Sequence, residues 1–193
     1  MARDIAYFMI DCEASGPVPG LYNLISLGVV VLRRVSDGHA SGHHEIGEEK
    51  YWEIKPIYPG WDMEAEKVHR LSRAYVEENG VEPRQAMIEL RNWTQSMCRK
   101  GERPVFVGHN APFDWMYVNY YFHAMEVDNP FGYNAMDTKA MAAGKHQLLW
   151  TDTNKENLLE IYPQLVAPPE EQVHNALVDA RFQAELLRVL LDE

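Results

Sequence analysis

Carboxylates stand at three places in this 193-residue chain where the surrounding pattern calls for buried, apolar side chains. They are the pair Asp11 and Glu13 after an apolar run, Asp114 in an aromatic-rich segment, and Asp179 in the last apolar segment. A buried carboxylate is unfavourable unless it is paired, and four that converge would repel one another unless cations lay between them. The chain therefore predicts an oxygen-ligand site for divalent metal, which suits in-line displacement at phosphorus.

The first pair, Asp11 and Glu13, has the spacing of neighbours on one face of a strand. Two residues apart on an extended chain, both side chains point the same way and can share a cation. The same spacing is common on solvated surfaces, where it has no function. Here residues 7–10 are Tyr, Phe, Met and Ile, which indicates a buried strand and keeps a functional role open. Cys12, between the carboxylates, should point to the opposite face and into packing.

Asp114 lies in the first turn of a segment that is apolar nearly all round, from Phe113 to Phe122. A helix of this kind is expected to be buried, and its aromatic residues fit a core better than a stacking platform for bases. The alternative is that Asp114 only complements the helix N-terminus, an interaction worth about 0.3–1 kcal/mol.

Asp179 falls on an apolar flank of the last helix, in line with Phe182 and Leu186. A carboxylate there needs a partner. A buried salt bridge would serve, but such pairs are expensive to maintain, and metal ligation fits better. His174 stands five residues earlier and is a candidate base, because neighbouring carboxylates would favour its protonated form. A histidine at a helix entry is otherwise usually structural or exposed.

Composition restricts the class of protein. The hydrophobic content of 46% is that of a globular chain, which we expect to form a single domain spanning residues 1–193. We find no membrane-spanning stretch and no signal peptide, so we expect a cytoplasmic protein that does not act at a membrane.

Two cysteines make no disulfide framework. The net charge of −11 excludes a broad basic footprint, so the chain either binds no nucleic acid or binds a short stretch through metal and local contacts.

The order of elements predicts an α/β fold with a mixed sheet flanked by helices. The expected strands are residues 6–11, 24–32, 51–55 and 104–108, with a short segment at 135–137. The expected helices are residues 63–71, about 83–100, 111–126 and about 175–191, with further helical stretches before the last. Residues 36–50, which include His39, His43 and His44, are expected to form a solvated connection.

Five of these residues match the pattern of a known family. Asp11-x-Glu13, Asp114 in His-Asn-Ala-x-Phe-Asp, and His174-x-x-x-x-Asp179 resemble the three exonuclease motifs of the DnaQ-like (DEDDh) 3′–5′ exonucleases. The segments around Val68-His69 and Asp137-Thr138 are also similar, so the resemblance covers residues 8–190. Each motif alone is weak, but three in the right order with the right histidine spacing are specific. Ribonuclease T and the proofreading subunits of DNA polymerases are similar in the second and third motifs.

The resemblance implies an RNase H-like fold, in which a five-stranded mixed sheet has helices on both sides. It implies that Asp11, Glu13, Asp114 and Asp179 bind two Mg²⁺ or Mn²⁺ ions, and that His174 takes a proton from the attacking water. The reaction would be hydrolysis from a 3′ end that releases nucleoside 5′-monophosphates. The residues expected to contact the terminal nucleotide are Glu13, Ser15, His69, Asn110 and Phe113.

Two segments depart from the family pattern. After Glu13 the chain reads Ala14-Ser15-Gly16 where the family commonly has Thr-Thr-Gly or Thr-Ala-Gly, so Ser15 offers the hydroxyl of this loop. Arg70 stands where relatives often have glycine. It either reaches a phosphate or caps a helix, and we favour the cap.

The acidic composition leads us to expect short single-stranded 3′ ends as substrates, with RNA slightly favoured over DNA. The aromatic segment 113–122 leaves a homodimer possible, although core packing explains it equally well. Two other functions stay open. One is a non-catalytic RNase H-like module that binds nucleic acid or protein, and the other is a metal-dependent hydrolase of small phosphate esters.

Overall fold

One mixed sheet organises the structure, a computed structural model that describes residues 4–35 and 42–192. Its strands are β1 (Ile5–Ala14), β2 (Leu24–Val35), β3 (His43–Glu53), β4 (Arg103–Gly108) and β5 (Ala135–Asp137). Their order is β3-β2-β1-β4-β5, with β1 antiparallel to β2 and parallel to β4. The predicted five-stranded mixed sheet is confirmed.

Seven α-helices lie within the described ranges. They are α1 (Met63–His69), α2 (Arg73–Asn79), α3 (Pro83–Met97), α4 (Ala111–Ala124), α5 (Thr138–His146), α6 (Lys155–Ile161) and α7 (Ala176–Asp192). Side-chain oxygens of Asp62 and Ser72 cap α1 and α2, and Pro83 occupies the first turn of α3, where its missing N–H has no partner to lose. None of these helices is long and apolar enough to cross a membrane.

Alternation along β1 divides the sheet into two faces. Phe8 and Ile10 point to one face and pack with α3 and α4 in the largest core cluster. Met9 points to the other face, which α7 covers with alanine and leucine side chains. Because side chains on a strand alternate, Asp11 and Glu13 share the face of Met9 and point toward α7. The sheet thus directs both carboxylates to the helix that carries the third motif.

Gly28 allows α7 to lie directly on the sheet. This glycine pairs with Asp11 across the β1–β2 ladder, and a Cβ built there would stand 2.2 Å from the carbonyl oxygen of Ala176. No side chain fits at that distance, so the first turn of α7 can approach β2 only at a glycine. This close approach carries Asp179 toward β1.

The third strand is longer than expected. We predicted an exposed connection over residues 36–50 and a strand over 51–55, whereas β3 runs from His43 to Glu53 and pairs with β2 along its length. Most of its residues are polar because it is an edge strand with exposed side chains, and the apolar pattern that marks a buried strand is therefore weak. The prediction was wrong for the described part of this segment.

The histidines of that segment are correspondingly part of the sheet. His43 and His44 lie on β3, and His44 Nδ1 is 2.6 Å from Asp192 Oδ1 at the end of α7. The solvated loop predicted for them is therefore replaced by an edge strand held to the last helix. His39 lies outside the described residues.

Candidate active site

The four predicted carboxylates line one pocket of about 220 Å³. Asp11 and Glu13 come from the end of β1, Asp114 from the first turn of α4, and Asp179 from the first turn of α7. His174 also lines the pocket. Three distant segments of the chain therefore meet, because β1 and β4 are parallel neighbours and α7 crosses the same end of the sheet.

Asp114 is fixed by the open edge of β1. The ladder between β1 and β4 ends at Met9, so the N–H groups of β1 beyond that residue have no partner on β4. The N–H of Cys12 donates to Asp114 Oδ1 at 3.0 Å, and the Cys12 thiol lies 3.3 Å from the same oxygen. Asp114 is 4% exposed. Its place is thus set by a backbone donor that a strand end leaves available.

Asp11 is held by Gln183, one turn beyond Asp179 on α7. Gln183 donates from Nε2 to Asp11 Oδ1 at 2.7 Å. Burial and then repulsion from the three other carboxylates raise the pKa of Asp11 well above its usual range. The sequence analysis missed Gln183, although its i, i+4 spacing from Asp179 places it on the same face of the helix.

The pKa values of Glu13 and Asp114 are raised as well. Burial, followed by repulsion from Asp179 and Asp114, raises the pKa of Glu13 to about 8. Burial raises the pKa of Asp114 to about 7, against the hydrogen bonds from Cys12, which lower it. In the absence of further cations the cluster therefore retains protons near neutral pH, which is the expected response of acidic groups that lack sufficient positive charge between them.

Among residues 4–35 and 42–192, one cationic side chain forms an ion pair with the cluster. The ammonium of Lys155, at the start of α6, pairs with Asp179 Oδ1. Asp179 Oδ2 accepts a hydrogen bond from the backbone N–H of His174 at 2.7 Å. A lysine in this position was not predicted, because nothing in its local sequence distinguishes it from a solvated lysine at a helix start. It supplies one positive charge to a group of four carboxylates.

The residues present fit a divalent cation. One ligand atom each of Glu13, His174 and Asp179 lies within 4.8 Å of the other two, close enough for a shared ion. Asp11 and Asp114 complete a set of hard oxygen donors, which is the ligand chemistry that Mg²⁺ and Mn²⁺ prefer. The raised carboxyl pKa values add an electrostatic reason for an ion to bind.

His174 is exposed and has an unusual backbone conformation. Its φ of 64° lies in the left-handed region, which is uncommon for residues other than glycine and is often found at functional sites. The residue directly precedes Asn175, whose side-chain oxygen accepts hydrogen bonds from the first N–H groups of α7. The imidazole is therefore presented at the rim of the pocket by the helix start.

Besides Glu13, two of the other four predicted substrate contacts lie in the pocket wall. Asn110 and Phe113 both line it. Asn110 is in the left-handed region with φ 71°, and its N–H donates to Asp137 Oδ1 at 3.0 Å. This geometry follows from the sharp connection between β4 and α4, which asparagine tolerates better than most residues.

Ser15 has a different environment from the one expected. It is fully buried, its hydroxyl donates to the carbonyl of Gly60 at 3.0 Å, and the same oxygen accepts from the Asn23 backbone N–H at 2.9 Å. Both capacities of the hydroxyl are used within the protein. The structure therefore gives Ser15 a role in fixing the loop after β1, and does not place it on the pocket surface.

His69 lines a second cavity, of about 210 Å³, which adjoins the first because His174 lines both. Its Nδ1 accepts from the N–H of Leu71 at 3.1 Å, and its buried Nε2 has no hydrogen-bond partner among the described residues. Burial lowers the pKa of His69. A neutral imidazole that accepts at Nδ1 carries its proton on Nε2, so the unpaired buried atom is a donor.

Arg70 is a helix cap, as we favoured. Its φ of 62° ends α1, and its backbone N–H donates to Glu66 at 2.7 Å. Its guanidinium donates to the carbonyl of Glu171 at 2.6 Å, which ties the end of α1 to the segment that leads into His174. Arg70 also lines the second cavity, beside His69.

Comparison with known proteins gives a match over nearly the whole chain. The family model for the Rv2179c-like 3′–5′ exoribonuclease domain matches residues 6–191. The chain is 35% identical over 184 residues to the 3′–5′ DNA exonuclease Cap18 of Escherichia coli, which covers 95% of this chain and 90% of that protein.

Solved structures share the fold at low sequence identity. The nuclease domain of 3′hExo, a DEDDh family member bound to rAMP, has a TM-score of 0.76 at 14% identity and covers 97% of this chain and 92% of that one. The zinc-bound complex of E. coli ExoI with single-stranded DNA has a TM-score of 0.69 at 16% identity, covering 97% of this chain and 40% of that one. The predicted RNase H-like fold is confirmed.

Proposed function

The chain belongs to the Rv2179c-like 3′–5′ exoribonuclease domain family, and from this premise we propose that it hydrolyses the terminal phosphodiester at the 3′ end of single-stranded nucleic acid. The products are nucleoside 5′-monophosphates, and one domain across residues 1–193 carries the reaction. The observation that supports this most strongly is the convergence of four carboxylates and His174 on one pocket.

Two Mg²⁺ or Mn²⁺ ions are proposed to bind Asp11, Glu13, Asp114 and Asp179. Bound there, they would neutralise charge on the scissile phosphate and on the leaving 3′ oxygen. The role of the protein is to hold together carboxylates that otherwise repel one another. The hydrogen bond from the Cys12 N–H orients the Asp114 carboxylate before any ion or substrate binds.

His174 is proposed to take the proton of the attacking water. The imidazole is exposed at the pocket rim, and one of its ring nitrogens lies within 4.8 Å of carboxylate oxygens of Glu13 and Asp179. Its backbone N–H is held by Asp179 at 2.7 Å, so the carboxylate keeps the base in place. An exposed ring can also release the proton to solvent after each turnover.

The terminal nucleotide is proposed to lie across the two adjoining cavities. Asn110 and Phe113 form one wall beside Glu13, and His69, whose buried Nε2 has no partner among the described residues, lines the other cavity. A buried donor without a partner is unfavourable, so a ligand oxygen that accepts from it would be stabilised. A sugar hydroxyl offers such an oxygen.

Short single strands are the proposed substrates, with RNA slightly favoured over DNA. The names of the relatives point both ways, since the family description refers to an exoribonuclease and the E. coli relative is a DNA exonuclease. With a net charge of −11, the chain must obtain most of its phosphate affinity at the site itself, which favours short ends over long duplexes.

The test is product sizing with 5′-labelled single-stranded RNA and DNA of equal sequence, with Mn²⁺ and with EDTA. We expect a ladder that shortens by single nucleotides from the 3′ end, release of 5′-monophosphates, and faster loss of RNA. Asp11→Asn and His174→Ala should each abolish the ladder while the proteins stay folded. Internal cleavage products, a ladder that survives Asp11→Asn, or activity only on small phosphate esters would contradict the proposal.

A further inference from the structure

An exposed aromatic side chain with a lysine over its ring is connected by hydrogen bonds to a histidine of the pocket wall. Trp150 begins a one-turn 3₁₀ helix at Trp150–Asp152 and is 48% exposed. The ammonium of Lys139, on α5, lies 5.0 Å from the centroid of its ring. Most of the other aromatic side chains of the C-terminal half, such as Tyr162 and Phe182, are buried in the core. Trp150 is therefore available for a contact that the core does not supply.

Hydrogen bonds fasten this pair to the wall of the pocket through His109. His109 lines the pocket, and its Nδ1 lies 2.9 Å from the hydroxyl of Thr138, the residue before Lys139. The ring of His109 also contacts the backbone of Thr153. The hydroxyl of Thr153 in turn donates to the carbonyl of Trp150 at 2.8 Å. Lys139 is thus connected to His109 through the neighbouring Thr138, and Trp150 is connected to the same histidine through Thr153.

Two lysines act on this side of the pocket, although the carboxylate of Asp137 also acts on His109. Lys139 and Lys155 both act on His109, whose pKa is lowered to about 4 by burial first and then by these two charges. No carboxylate of residues 4–35 or 42–192 lies within ion-pair distance of the Lys139 ammonium. In a chain of net charge −11, an ammonium without an ion pair next to an acidic pocket is a site for an external anion.

We propose that Trp150 and Lys139 bind the part of the substrate strand upstream of the scissile phosphodiester, with a base stacked on the indole and a backbone phosphate at the ammonium. Aromatic stacking beside a basic group is how proteins bind single strands without reading sequence. His69 lines the cavity that shares His174 with the pocket, whereas His109, to which this pair is connected, lines the pocket and not that cavity. The inference rests on the proposed function. It adds a second binding site, which a substrate strand longer than a dinucleotide would occupy.

The experiment compares substrates of two lengths with the full chain. Catalytic efficiency is measured for Trp150→Ala, Trp150→Phe and Lys139→Ala on a single-stranded dinucleotide and on an octanucleotide. We expect Trp150→Ala to lose about tenfold more efficiency on the octanucleotide than on the dinucleotide, mainly through KM, as loss of one stacked base would give. Trp150→Phe, which keeps a ring, should restore much of the loss. Leu149→Ala is the matched control, because Leu149 is 72% exposed in the same segment and carries no ring.

Binding without chemistry separates this inference from the proposed function. In EDTA, fluorescence anisotropy of a labelled octanucleotide should show about tenfold weaker binding to Trp150→Ala, and a shallower salt dependence for Lys139→Ala. An active wild type with equal losses at both lengths, or with no loss, would overturn the inference and leave the proposed function standing. An inactive wild type would overturn the proposed function, and the anisotropy series would still decide the binding site. If Trp150→Ala does not fold, the comparison of Trp150→Phe and Lys139→Ala with the wild type decides it.

Discussion

The side-chain amide of Gln183 donates a hydrogen bond to Asp11 Oδ1 at 2.7 Å, so the last helix orients a carboxylate of the first strand. Gln183 is 3% exposed, and its Oε1 has no hydrogen-bond partner among the described residues. The same helix carries Asp179 one turn earlier. A neutral donor orients Asp11 without competing for the charge that a cation would neutralise, and it leaves the second carboxylate oxygen available.

Replacing this amide should weaken metal binding more than it weakens the fold. Gln183→Leu removes the donor that orients Asp11, and losing such an outer contact typically lowers metal affinity about 10–100-fold. Mn²⁺ titration followed by electron paramagnetic resonance measures the effect. Glu185→Gln, on the more exposed side of α7, is the matched control. Wild-type Mn²⁺ affinity in Gln183→Leu would show that Asp11 needs no such support.

Lys155 should matter most when metal is absent. Its ammonium is the protein cation paired with the buried Asp179, so Lys155→Ala leaves that carboxylate without a counter-charge. We expect the variant to lose about 1–3 kcal/mol of unfolding free energy in EDTA and much less in saturating Mn²⁺, because an ion can replace the ammonium. Thermal unfolding under both conditions gives the comparison. An equal loss with and without Mn²⁺ would mean that the lysine, and not an ion, is the permanent partner of Asp179.

Metal binding near pH 7 should release protons. The pKa values of Glu13 and Asp114, about 8 and about 7 against ordinary values of 4.5 and 3.8, mean that the metal-free folded protein holds protons that the unfolded chain has lost. Its stability therefore falls as the pH rises from the unfolded to the folded pKa values, and an ion that needs ionised carboxylates displaces those protons. Calorimetric titration with Mn²⁺ in PIPES and in Tris should give different apparent enthalpies, and less so for Asp114→Asn. Identical enthalpies in both buffers would contradict the raised pKa values.

Much of this site is readable from the sequence because its members obey local periodicities. The alternation along β1 puts Asp11 and Glu13 on one face, and the helical period of α7 isolates Asp179 among apolar neighbours. Ser15 shows where such reasoning fails. A hydroxyl in a loop has no periodicity, and only the fold reveals that Asn23 and Gly60 use both of its hydrogen-bonding capacities.

Two other features required coordinates. Lys155 meets Asp179 through packing of α6 against α7, which no pattern within residues 150–160 encodes. The length of β3 was underestimated because an exposed edge strand is not marked by apolar residues, although its backbone pairs with β2 on both sides of one irregularity. Contacts between polar segments that are distant in the sequence could therefore not be predicted from the sequence.

The close approach at Gly28 gives a test of how the helix is seated. Gly28→Ala places a methyl group 2.2 Å from the carbonyl oxygen of Ala176, so the first turn of α7 must move away. We expect a loss of about 1–3 kcal/mol in unfolding free energy, and a larger proportional loss of activity because Asp179 moves with the helix. Gly144→Ala is the control, since nothing lies within 4 Å of its added Cβ on α5, and it should be neutral or stabilise by up to about 1 kcal/mol. Unchanged stability and activity in Gly28→Ala would contradict this packing.

Anomalous scattering from crystals grown with Mn²⁺ tests the central claim most directly. We predict two Mn²⁺ peaks among Asp11, Glu13, Asp114 and Asp179, with the Lys155 ammonium no longer paired to Asp179. Crystals at saturating Mn²⁺ that show no peak in the pocket, with the lysine still on Asp179, would contradict the account.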